Sequence, residues 1–137
     1  MPYDRLILAT GSNPFMIPIP GSKLPGVLGY RDIAGVEAML EAAKSYKRAV
    51  VIGGGLLGLE VTLVHLLDSL MERQLDAPAA ALLKASLERR GLRFLMGAQT
   101  AAILGADRVQ GVRFADGSEL EADLVVMAVG IRPNTTL

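Results

Sequence analysis

Ala49-Val50-Val51-Ile52 is continuously apolar, three of its four residues are β-branched, and it runs directly into Gly53-Gly54-Gly55. Such a run reads as a strand buried on both faces, the kind that occupies the middle of a parallel sheet. The glycines continue as Gly53-Gly54-Gly55-Leu56-Leu57-Gly58, so glycine recurs at the spacing of a strand-to-helix elbow. At the first of these positions, Gly53, the chain can turn sharply; at Gly55 the backbone can approach a diphosphate; at Gly58 a helix can lie close on the strand. The free amides and the positive dipole end of that helix then favour an anion. The pattern is that of a dinucleotide-binding elbow, and the bland alternative is a glycine-rich strand end.

The rest of the chain alternates between helix and strand before it changes period. Arg5 to Ala9 is a short apolar run that stops at Thr10-Gly11-Ser12-Asn13-Pro14, which reads as a buried strand and a turn. Pro18, Pro20, Gly21, Pro25 and Gly26 then mark a linker or crossover. Asp32 is a plausible N-cap for an amphipathic helix through Val36, Met39, Leu40 and Ala43 towards Tyr46. Asp76 and Pro78 open another, with Leu82, Leu83 and Leu87 inward and Gly91 at its end, followed by a strand at Arg93 to Met96. From Gln99 the period is two: Thr100 to Leu104, Arg108 to Phe114 and Glu119 to Ala122 form an antiparallel meander. A last buried strand, Leu124 to Val129, ends in Gly130-Ile131-Arg132-Pro133-Asn134. The fold class is α/β, a parallel sheet with a three-stranded meander.

Composition narrows the function. With 137 residues, 51% of them hydrophobic, the chain can bury one core. Fourteen basic residues balance fourteen acidic ones, and no Lys/Arg run exceeds a pair, so a nucleic-acid partner is not expected. Cysteine is absent, which removes disulfides, iron-sulfur ligation and thiolate zinc sites from these residues. No apolar stretch is long enough to span a membrane and Met1-Pro2-Tyr3-Asp4 does not open a secretory signal, so a soluble cytoplasmic protein is expected. One histidine and scattered carboxylates make neither a catalytic triad nor a metal cluster, and no catalytic residue is assigned.

In order, the runs YDRLILATGSNPF, VVIGGGLLGLE, LMERQLD and GVRFADGSELEADLVVMAVGIRPNTTL resemble the pyridine-nucleotide-dependent flavoprotein reductases. They most resemble the large subunits of NAD(P)H-dependent assimilatory nitrite reductases, with rubredoxin and ferredoxin reductases as alternative parents. The resemblance implies a Rossmann-like NAD(P)-binding domain over residues 17–133, with 1–16 as a strand and crossing from an FAD domain and 134–137 as the start of the return crossing. It implies that NAD(P)H docks at Gly53, Gly54, Gly55, Leu56, Leu57 and Gly58, and that hydride passes to FAD held by other segments of the parent enzyme. By the same resemblance Glu60 lies near the nicotinamide end and Gly130 shapes that pocket; alternatively, Glu60 is a solvated helix residue. His65 stands where the family often has an acidic residue on the adenosine ribose, which leaves the choice between NAD and NADP open; a lone histidine is otherwise structural or exposed.

One departure from the family pattern matters for the site. There a full helix and turn separate the glutamate of GGGLLGLE from the next strand, whereas here Glu60 adjoins Val61. A strand-helix-strand crossover takes about ten to twelve residues. Only the eight from Gly53 to Glu60 are available, so the first crossover helix is truncated or fused. In one outcome VTLVH pairs beside VVI through an irregular loop, and a sheet face loses its cover. In the other, favoured by Leu56, Leu59, Leu63, Leu66, Leu67 and Leu70 at helical spacing, the helix continues through the former strand, against the strand preference of Val61, Thr62 and Val64. Either outcome damages the adenosine site, and weak NAD(P) binding is expected. The chain is thus expected to be an electron-input module of a larger flavoprotein or, alternatively, an inactive remnant that interacts through apolar surfaces.

Overall fold

Ala49, Val50, Val51 and Ile52 are all buried and form the body of β3 (Arg48–Gly53), the third of five strands in a parallel sheet. This is a computed structural model, and it describes residues 4, 5, 7, 9–53 and 60–135. The described elements run β1 (Ser12–Pro14), β2 (Val27–Gly29), α1 (Ile33–Ser45), β3, β4 (Glu60–Val64), α2 (Ala77–Glu88), β5 (Arg93–Leu95), β6 (Thr100–Leu104), β7 (Gly111–Phe114), β8 (Glu119–Glu121), β9 (Leu124–Ala128) and β10 (Ile131–Pro133). The parallel sheet has the order β2-β9-β3-β4-β5, and β6-β7-β8 form the antiparallel meander.

The pleat sends alternate side chains to opposite covers. On one face Ala49, Val51, Val61, Leu124 and Val126 pack with Met39 of α1, and Leu63 packs with Leu70 and with Leu87 of α2. On the other, Val50, Ile52, Val64, Val125 and Met127 pack with Ile103, Val112 and Phe114 of the meander and with Val109. Both helices start at the aspartates read from the sequence: Asp32 accepts from the Gly35 amide at 2.8 Å and Asp76 from the Ala79 amide at 2.9 Å. At the amino ends of the strands, Arg48 donates from Nη2 to Asp123 at 3.0 Å and from Nη1 to Glu121, tying β3 to the start of β9.

Four expectations are corrected. Residues 60–64 are a strand, not the continuation of a helix: β4 pairs with β3 from Arg48↔Glu60 to Ile52↔Val64 and with β5 through Thr62, Leu63 and Val64. Hydrogen bonding on both edges, together with the β-branched Val61, Thr62 and Val64, outweighs the leucine spacing, and Leu66 is left 60% exposed beyond the strand. Nor does a sheet face open to water, since Val51 is 1% and Val61 0% exposed. The strand expected at Arg5 to Ala9 is not formed by its described residues, and Ile7 is 89% exposed, so its side chain has none of the burial that a central strand needs. Conversely, the proline- and glycine-rich stretch read as linker contains β2, which adds to β9 from Val27↔Val125 to Gly29↔Met127.

The two expected crossings meet each other. β1 and β10 pair antiparallel from Ser12↔Pro133 to Pro14↔Ile131, and Asn134 donates from its backbone to Gly11 and from its side chain to Thr10, both at 2.9 Å.

Candidate nucleotide cleft

In an open parallel sheet, ligands settle outside the carboxyl ends of the strands. A cleft of about 570 Å³ lies there, lined by Ile52 and Gly53 of β3, Val64 of β4 with His65 and Leu66 after it, Ala128 and Val129 at the end of β9, and also by Phe15, Gln99 and Thr100. Apolar walls with a few polar groups suit a ligand with a planar organic part. A second hollow, of about 360 Å³, is walled by Arg48, Thr62, Arg93 and Glu121 at the amino ends, the wrong end for such a site.

Gly53 ends the central strand with φ at +102°, a conformation that side chains disfavour. His65 follows β4 and is fixed by its backbone, its amide donating to Leu95 at 2.9 Å and its carbonyl accepting from Ala98 at 3.1 Å. Its Nε2 is buried and makes no hydrogen bond, with the Glu72 carboxylate 3.5 Å away. Among the described residues, the other buried side-chain polar atom with no hydrogen-bond partner is Thr100 Oγ1. Both residues line the same cleft, and buried groups left unpaired call for an explanation.

Gly53 and His65 are therefore brought together. Gly130, with φ at +109°, separates β9 from β10, accepts a hydrogen bond from the Phe15 amide at 2.9 Å and borders a smaller hollow with Tyr30 and Arg31. The backbone of Glu60 lies opposite Arg48 at the amino end of the sheet, so the structure does not bring it to the cleft. Gly54, Gly55, Leu56, Leu57 and Gly58 lie outside the described residues. Sequence reasoning missed Phe15, Thr100 and Glu72. Thr100 carries no local signal beyond opening β6, and Phe15 is placed by the pairing of β1 with β10, over whose ring Arg132 stacks at 4.2 Å. Glu72 was legible only as part of LMERQLD.

Comparison with known proteins agrees with this geometry. The chain is 58% identical to the nitrite reductase [NAD(P)H] of Bacillus subtilis over 147 residues, which takes in 99% of this chain and 18% of the relative. The match is longer than the 137 residues here, 147 against 137, so at least ten positions of the relative have no counterpart. A ferredoxin reductase from Rhodopseudomonas palustris superimposes with a TM-score of 0.85 at 33% identity, over 92% of this chain and 34% of that one. A water-forming NADH oxidase from Lactobacillus brevis, solved bound to NADH, does so with a TM-score of 0.85 at 26% identity, over 97% of this chain and 32% of that one. The chain thus spans about a fifth to a third of these relatives. The profile of the pyridine nucleotide-disulphide oxidoreductases matches residues 1–137, and the chain, with its parallel sheet, meander and glycine elbow, belongs to that family.

Proposed function

We propose that this chain is the NAD(P)H-binding, electron-input module of an FAD-dependent oxidoreductase of the nitrite reductase type. The observation that carries the reading is the cleft at the carboxyl ends of β3, β4 and β9, with Gly53 at its floor and two unpaired buried polar atoms, His65 Nε2 and Thr100 Oγ1, in its walls. These residues fit a dinucleotide. The elbow from Gly53 would hold the diphosphate, the apolar walls Ile52, Val64 and Val129 would exclude water, and His65 and Thr100 would meet the sugar and base. The bound nucleotide would supply a hydride to a flavin held by other parts of the parent enzyme. The chain's own work is to bind and orient.

The NADH-bound oxidase that this chain resembles supports the assignment. Titration of the purified chain with NADH and NADPH, followed by calorimetry and amide resonances, tests it: saturable binding with shifts at Gly53, His65 and Thr100 is expected, and no binding up to millimolar nucleotide would refute it. A second reading, a catalytically silent interaction domain, is favoured by the exposed Ile7, Tyr30 and Ile131. The same titration separates the two, since an electron-input module binds NADH or NADPH saturably in the cleft and a silent interaction domain binds neither.

A further inference from the structure

In nicotinamide-binding sheets of this architecture, the strand after the glycine elbow usually ends in a carboxylate that accepts from the ribose 2′-hydroxyl and repels a 2′-phosphate. Here β4 ends at Val64 and is followed by His65. Taken alone, a histidine at that place would tolerate or attract the extra phosphate of NADPH. The structure does not leave it alone. Glu72, seven residues further on in the turn that precedes α2, sets its Oε2 3.5 Å from His65 Nε2, and that nitrogen has no hydrogen-bond partner.

On the reading that this cleft takes a nicotinamide dinucleotide, we infer that Glu72 is a specificity-determining residue which, paired with His65, replaces the missing strand-end carboxylate and selects NADH over NADPH. With Glu72 ionised, the pair sums to zero charge if the ring is protonated and to minus one if it is neutral. Neither state presents a net positive site to a 2′-phosphate. A ribose hydroxyl both donates and accepts, so it can be satisfied by the pair in either state.

The decisive quantity is the ratio of the dissociation constants for NADH and NADPH, measured on the 137-residue chain. Wild type is expected to bind NADH more tightly. Glu72→Gln is expected to move the ratio towards NADPH by about tenfold, the scale of one hydrogen bond to a charged group. Glu72→Asp, which keeps the charge, should hold the ratio near that of wild type. A merely structural role would weaken both nucleotides together and leave the ratio unchanged. The inference is overturned if wild type prefers NADPH, or if Glu72→Gln binds nucleotide with an unaltered ratio. Failure of wild type to bind either nucleotide removes the NAD(P)H reading itself, and this inference with it.

Discussion

A Cβ built on Gly53 would lie 2.2 Å from the carbonyl oxygen of Ala128. Gly53 closes β3 beside the end of β9, with which it is in register. The absence of a side chain at the elbow is therefore demanded by the meeting of two central strands as well as by any diphosphate. A glycine at this place is evidence for the sheet first and for the ligand second.

It follows that Gly53→Ala should destabilise the fold whether or not nucleotide is present. The positive φ and the clash with the Ala128 backbone add, and a loss of about 3 kcal/mol or more is expected. Urea unfolding measures it, and a loss below about 0.5 kcal/mol would show that the two strands part easily.

Truncations along residues 60–70 distinguish a strand from a helix. Leu63 is buried with Leu70 and Leu87, so Leu63→Ala should cost about 2–5 kcal/mol. Leu66→Ala removes an exposed side chain and should cost less than about 0.5 kcal/mol. On a continuous helix with a leucine stripe the two would cost alike, and equal losses would contradict the pairing of β4.

Much of this fold is legible where local pattern and long-range context agree. Val50 to Ile52, the caps at Asp32 and Asp76, the meander and the apolar run from Leu124 are of that kind, because burial on both faces, capping and alternation leave their mark in adjacent residues. β4 is not, since its leucines keep helical spacing and only its neighbours β3 and β5, distant in sequence, decide for a strand. β2 hides in a proline- and glycine-rich stretch for the same reason: three residues suffice once β9 offers an edge. In the cleft, Gly53 and His65 could be read from the chain, but their meeting with Thr100 depends on where the meander folds back.

Acid should weaken the fold through two aspartates. The hydrogen bond from Arg48 holds the Asp123 carboxyl below its ordinary range, and the Ser118 hydroxyl does the same for Asp116 in the turn between β7 and β8. Because both are lower folded than unfolded, their contribution is complete above the ordinary carboxylate pKa of about 3.9 and is lost as the pH falls through the depressed folded values. Asp123→Asn should therefore be less stable than wild type at pH 7, and the gap should close in strong acid. A gap that persisted undiminished below pH 3 would dissociate the stabilisation from the carboxylate.

The shortened connection between Gly53 and Glu60 bears on affinity. Six residues, 54–59, join β3 to β4, fewer than the ten or so that a strand-helix-strand crossover takes, so NADH should bind with a dissociation constant on the order of 1 mM. Insertion of a helix-forming segment of about ten residues or more between Glu60 and Val61 should tighten binding by about tenfold or more. A micromolar constant for the unaltered chain would show that the helix is dispensable.

The short ribbon of β1 and β10, with Thr10 and Asn134 bonded across it, clasps two points of the polypeptide that are far apart along its length. Everything between them is a closed circuit, so its architecture owes little to where the covalent break falls. Residues 10–134, closed by a brief glycine-serine bridge across that ribbon and opened at the tip of the Asp116-Gly117 turn, should give a circular permutant with the same sheet.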